Sequence, residues 1–287
     1  MNIKTHISTT IQCLKKAESL WKILYLAGGC VFFVLLYAFF CAIAEYAESC
    51  IARIIWSLLL SLCIYFIYSK IYKPLPRARF KNGFLDLARG FCIGIINLLL
   101  VFLCIAATGC YQIDVISWDF PQIISNLSLF LLVAVSEEII CRGILLRTIE
   151  QNWSLTAGII VSAVVFGVWH WSNDNATVFS TINLMIDGCM FAFAFKYHDT
   201  LWLPIGMHWS WNFFQGSVLG FNVSGTESPY SVVTPVIEGK EIITGGLFGI
   251  EGSVFMIPVG LLFIWYFYYL YKRSKKQRIF TEESIQS

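Results

Sequence analysis

The chain has 287 residues, of which 57% are hydrophobic and only 13% charged, against roughly a quarter charged in a soluble domain. A formal net charge of +2 gives no basis for nucleic-acid binding, and apolar segments recur along almost the whole length, which excludes a soluble half. Composition therefore predicts an all-α, polytopic membrane protein, one membrane domain over residues 1–287 lying in a lipid bilayer.

In chain order, residues 1–22 read as a cytoplasmic leader, and Leu14–Trp21 carries the pattern of a short amphipathic helix at the membrane surface. The first apolar run, 23–43, is too long for a signal-peptide core and lacks a small-residue cleavage site, so it is taken as an uncleaved span. Seven more spans follow at about 51–72, 84–109, 120–141, 154–172, 177–196, 201–221 and 253–271. Each is close to the ~20 residues needed to cross ~30 Å of hydrocarbon. Lys73–Gly83 is a basic loop broken by prolines, and Asp86 and Arg89 at the start of the third span are spaced to pair. The segment 222–252, rich in Gly, Ser and Thr, is an extracytoplasmic loop with no motif that physics alone decodes.

With eight spans, 17 of the 20 Lys and Arg fall on one side of the membrane, in 1–22, 70–82, 142–153, 196–200 and 272–287. The positive-inside rule makes that side cytoplasmic and places both termini there. The ten cysteines form no Cys-x-x-Cys pair, so neither a zinc knuckle nor a disulfide framework is indicated.

Against this apolar background a few polar residues stand out. Glu137-Glu138 and Arg142 follow the run 123–135, and an ionised side chain at the bilayer centre costs ~2.5–3.5 kcal/mol even on the lenient insertion scale. Glu138 and Arg142, four apart, share a helix face and can neutralise each other; Glu137 points ~100° away and lacks that partner. His170 ends the fifth span, His208 and Asn212 share a face of the seventh, and Asn183 and Asp187 share one of the sixth. At ~1.5 Å per residue, Glu137, His170, His208 and Asn212 all fall near mid-membrane depth and can meet in one cavity between three helices.

A carboxylate withdrawn from bulk water can act as general base, an imidazole can share its proton, and a second imidazole with an amide can donate to an oxyanion. That equipment suits hydrolysis of an amide within the membrane. Gly-x-Ser-x-Gly, Gly-Lys-[Ser/Thr] and His-Glu-x-x-His are absent. A glutamate and two histidines also serve as ligands of a divalent metal such as zinc. The residues alone leave water activation and metal coordination both open.

Glu137-Glu138…Arg142, Phe166…His170 and His208…Asn212, in this order on separate helices, resemble the CPBP family of CAAX proteases and bacteriocin-processing enzymes, also called Abi. The stretches Leu201–Gly216, Gly220–Gly225 and Thr244–Ser253 look like bacterial members, so the likeness covers roughly 120–253 with a catalytic core at about 120–221. The resemblance implies an intramembrane endopeptidase of the bacterial plasma membrane acting on a membrane-associated peptide or protein. By motif position Glu137 would activate water, assisted by His170, while Glu138, also among the candidate catalytic residues, would with Arg142 keep the helix in register. His208 and Asn212 would stabilise the oxyanion, or His170 and His208 would hold the metal. Cys141 stands where the family often has an aromatic residue, which alters local packing. Two rival readings are a non-catalytic scaffold or bacteriocin-immunity protein on the same fold and a proton-coupled transporter using Glu137 and Asp187. The lack of evident internal repeats weighs against the transporter.

Overall fold

A computed structural model describes residues 49–71 and 83–286, with scattered positions between 28 and 39; of 278–286 it describes the backbone only. The leader, most of the first expected span and all of the Lys73–Gly83 loop but Gly83 lie outside the described residues.

The described chain is mostly helical. α1 (Cys50–Ile71) and α2 (Gly83–Ala107) match the second and third expected spans. α3 starts at Phe120, capped by Asp119, whose carboxylate accepts from the Gln122 amide at 3.1 Å, with Pro121 in the first turn. It runs to Glu138, continues as a π-helix over Ile139–Leu146, and ends with α-helix Arg147–Asn152. The helix thus continues past 141, the expected end of the span, and Arg142 within it is fully buried. α4 (Leu155–Trp169) is capped by Ser154 and ends in a 3-10 turn, His170–Ser172. α5 (Val178–His198) opens on a Thr177/Ser180 capping box and closes at Asp199 in the left-handed region. α6 (Trp202–Asn212) passes into a second π-helical turn, Phe213–Val218. A short helix, α7 (Glu241–Thr244), precedes the long α8 (Met256–Gln286).

Four of these are long and apolar enough to cross a membrane: Cys50–Lys70, Gly83–Ala107, Leu155–Ser172 and Val178–His198. α3 and α6 fall outside that set and carry the polar residues singled out above: Glu137, Glu138 and Arg142 along α3 and its π-turn, His208 and Asn212 on α6.

The all-α expectation needs one correction. β1 (Tyr111–Ile116) and β2 (Val233–Ile237) form a two-stranded antiparallel sheet, Tyr111 opposite Ile237 and Ile116 opposite Val233, with a bulge between Ile113 and Val115. Tyr-Gln-Ile-Asp-Val-Ile alternates and is β-branched, a strand pattern hidden at the foot of a long apolar helix. The sheet ties the α2–α3 connection to the 222–252 segment. Asn126 of α3 reinforces the tie, donating to Ser217 Oγ (2.9 Å), Ser228 Oγ (3.1 Å) and the Tyr230 carbonyl (2.8 Å).

α2 and α6 pack backbone to backbone. A Cβ on Gly90 would collide with the Leu203 carbonyl oxygen, one on Gly94 with that of Met207, and one on Gly206 with that of Leu87. Small residues four apart are how membrane helices approach this closely. Gly90→Ala is therefore expected to lower the thermal midpoint of the detergent-solubilised protein by the equivalent of ~1–3 kcal/mol, the usual cost of overpacking. An unchanged midpoint would show that the helices can separate freely.

At the end of the bundle where α5 and α6 join, charged groups pair. Lys196 Nζ lies 2.8 Å from Glu150 and 3.0 Å from Asp199. Asp86 does lie 3.5 Å from Arg89, but its closer partner is His198 Nδ1 at 2.9 Å. That contact joins α2 to α5, a pairing that sequence spacing within one helix does not reveal.

Candidate active site

Glu137 and Glu138 occupy the last turn of the α-helical part of α3, His170 the end of α4, and His208 and Asn212 one face of α6. All five are at least nine-tenths buried. Glu137, His170, His208 and Asn212 line one cavity of about 330 Å³. Both α3 and α6 change from α- to π-helix immediately after their site residues, at Ile139 and Phe213; such widened turns are frequent at functional sites.

The hydrogen bonds fix which nitrogen of each imidazole faces the cavity. His170 Nδ1 lies 2.8 Å from the Phe166 carbonyl, which can only accept, so Nδ1 carries the proton and Nε2 is the lone-pair nitrogen of the neutral ring. His208 Nδ1 lies 3.1 Å from Glu138 Oε1 and is likewise a donor beside a carboxylate bound to Arg142. Both Nε2 atoms therefore turn toward Glu137 Oε2, at 3.7 Å from His170 and 3.9 Å from His208. That oxygen is buried and makes no hydrogen bond.

These separations are too long for direct hydrogen bonds. They also exceed the ~3.3 Å edge of a tetrahedron built on ~2.05 Å zinc bonds. Among the described residues no group of three or more His, Cys, Asp or Glu side chains is arranged to hold a metal ion. No step below is routed through a metal.

Glu138 does not line the cavity; it stands behind His208, bound to Arg142 as its helical spacing predicts. It is wholly buried and accepts from Arg142 Nη1 at 2.8 Å. Arg142 also donates from Nη2 to the Gly188 carbonyl of α5 at 3.1 Å. Its guanidinium lies over the rings of Phe166 and Phe191, at 4.5 and 5.2 Å from their centroids, and Phe191 stacks in turn on His208, centroids 5.3 Å apart. One buried cation thus locks α3, α4, α5 and, through Glu138, the His208 ring of α6.

Sequence reasoning missed the wall opposite. Ser224, Glu227 and Glu251, from the segment joining α6 to α8, line the same cavity, as does Asp187 of α5. Glu251 accepts from Gln215 Nε2 on one oxygen and from the Ser224 amide and hydroxyl, both at 3.2 Å, on the other. Asn183 donates to the carbonyls of Glu251 (2.7 Å) and Ser253 (2.9 Å), pinning this segment to α5. The Asn183/Asp187 spacing was visible in the sequence; the distant Glu251 carries no local signal.

Burial pushes the Glu251 carboxyl up to about 7, while the hydrogen bonds from Gln215 and Ser224 pull it down. Its folded value thus lies above the ordinary 4.5, so its stability contribution is full below that value and is lost as pH rises through 7. The thermal midpoint is expected to fall from about pH 5 to about pH 8, and Glu251→Gln to flatten that fall. A difference between wild type and variant that does not change with pH would contradict this reading.

Residues 119–214 match the family model described as type II CAAX prenyl endopeptidase Rce1-like. The match contains all three motifs and every site residue from Glu137 to Asn212. No curated protein and no solved structure matches the chain.

Proposed function

We propose, on the premise that residues 119–214 belong to the Rce1-like CAAX-protease family, that this multi-pass membrane protein is an intramembrane endopeptidase using Glu137 to activate water. The observation that carries the proposal is the unpaired Glu137 Oε2 facing two imidazole Nε2 atoms across 3.7 and 3.9 Å. A water in that gap can give its proton to Glu137 while it attacks a peptide carbonyl. The developing negative charge falls on the carbonyl oxygen, to which the Asn212 side-chain amide donates. His208 adds a second donor from Nε2 only when doubly protonated, because its Nδ1 proton is committed to Glu138. Glu137 then returns that proton to the leaving amine, directly or by passing it through His170 Nε2, so the new C-terminus carries one oxygen from water.

The proposal includes a bacterial plasma membrane location, eight spans and both termini in the cytoplasm, supported by the one-sided placement of Lys and Arg. The substrate is a membrane-associated peptide or protein. A non-catalytic scaffold has no need for a buried carboxylate without a hydrogen-bond partner.

The test is cleavage of membrane-embedded peptides by purified protein in lipid, carried out in heavy-oxygen water and read by mass spectrometry. Incorporation of one heavy oxygen at the new carboxyl end is expected, with activity surviving exhaustive chelation. Absence of cleavage across a broad peptide set would sink the enzyme reading. Loss on chelation with recovery on adding zinc would replace the water mechanism with a metal-based one.

A further inference from the structure

The cavity that holds the reacting groups has a second polar wall with no part in the chemistry above. Asp187 lies there, 6% exposed, with Oδ1 buried and without a hydrogen-bond partner. Glu251 stands close enough for the two carboxyl groups to act on each other electrostatically. Among the described residues, the titratable groups lining this cavity are Glu137, His170, Asp187, His208, Glu227 and Glu251, and no lysine or arginine is among them. Arg142 exerts a field on Asp187 but directs its Nη atoms to Glu138 and Gly188. A buried carboxylate oxygen without a donor is costly unless something supplies one. Asp187 is among the residues that line the space of about 330 Å³.

We propose that Asp187, backed by Glu251, is a cation-binding subsite of the cavity that takes the ammonium or guanidinium group of the peptide substrate. The inference rests on the peptidase reading for its peptide, but not for its cation. Glu251, held in a fixed position by Gln215 and Ser224, stands behind Asp187, which supplies the open acceptor. A hard inorganic cation calls for about six oxygen ligands, more than this wall offers. An organic cation needs only one to three acceptors and an apolar channel for its stem. Leu129, Val133, Leu184 and Met190 line the same space and provide that channel. The preferred peptide carries lysine, arginine or a free amino terminus near the cleaved bond.

The experiment has a cleavage arm and a binding arm. In the first, purified protein in lipid is given paired peptides with lysine or norleucine at each position around the cut, each with free or acetylated amino terminus. A preference in kcat/KM of about tenfold or more for the cationic member is expected, as for a buried charge pair. Asp187→Asn collapses that ratio and Asp187→Glu retains it. Loss of preference on acetylation identifies the amino terminus as the cation, and loss on norleucine replacement the side chain. A ratio unmoved by Asp187→Asn overturns the subsite.

In the second arm, n-butylguanidinium and n-butanol are compared as stabilisers of the Glu137→Gln protein by thermal melting. The guanidinium alone is expected to raise the midpoint, and to do so no longer when Asp187→Asn is added. Equal shifts for both compounds overturn the proposal. Guanidinium binding without any peptide cleavage would retain the subsite and remove the peptidase reading. A midpoint that follows sodium concentration but not the guanidinium would make this an inorganic site and overturn it too.

Discussion

Glu137→Gln is expected to reduce kcat for peptide hydrolysis by about 10²–10⁴-fold, the range over which a positioned general base contributes, while leaving the melting temperature close to that of wild type. The two halves of this expectation come from one observation. Glu137 Oε2 makes no hydrogen bond within the protein, so an isosteric amide breaks no contact and opens no void. The amide cannot accept a proton from water at neutral pH, and its nitrogen would present hydrogens where two Nε2 lone pairs converge at 3.7 and 3.9 Å. Glu137→Asp keeps the base but withdraws it by a methylene from the water it must reach, and is expected to fall between the two. The measurement is steady-state cleavage beside a thermal melt of the same preparation. Wild-type turnover by Glu137→Gln would mean that His170 or another group removes the proton.

Much of this arrangement was legible in the sequence, for reasons particular to membrane proteins. In a chain this apolar, a charged or amide side chain at mid-membrane depth is expensive enough to be informative. Helical spacing then sorts faces: it separated Glu137 from Glu138, paired Glu138 with Arg142 and put His208 with Asn212 on one side. The 2.8 Å contact between Glu138 and Arg142 and the shared cavity follow that geometry. What periodicity does not carry is non-local. The β1–β2 sheet joins segments over 110 residues apart, and Glu251 reaches the cavity from a loop whose Gly/Ser/Thr composition reads as featureless. The π-helical turns after Glu138 and Asn212 also left no mark, since the same residues would satisfy an α-helix. Exposure misleads in the other direction: Arg142 looked like the start of a cytoplasmic segment, and the rings of Phe166 and Phe191 that receive it lie on two other helices.

Arg142→Met is expected to be the most destabilising single change in the core, costing ~3–5 kcal/mol, as does removal of one partner from a buried ion pair. Whole domains are stable by only ~5–15 kcal/mol, so a large drop in melting temperature and in yield of folded protein follows. The cause is Glu138, which is fully buried and would keep only His208 Nδ1, at 3.1 Å, as a hydrogen-bonding partner. Arg142→Lys is expected to recover little, since an ammonium cannot donate to Glu138 and Gly188 in a planar fork or lie flat between two aromatic rings.

The double variant Glu138→Gln/Arg142→Met separates the pair's role from its cost. It leaves no unpaired charge, and the carbonyl oxygen of the introduced amide can still accept from His208. The existing pair is imperfectly satisfied, with Glu138 Oε2 and Arg142 Nε both lacking a partner, so its net contribution to stability is small even though breaking it is costly. The double variant should therefore melt well above Arg142→Met. Its activity should nonetheless stay below wild type, because the cation that joins α3 to Gly188 of α5 and packs on Phe191 against His208 is gone. Stability restored together with full activity would show that the ion pair is dispensable to the site. Restored stability without activity would show that it orients His208.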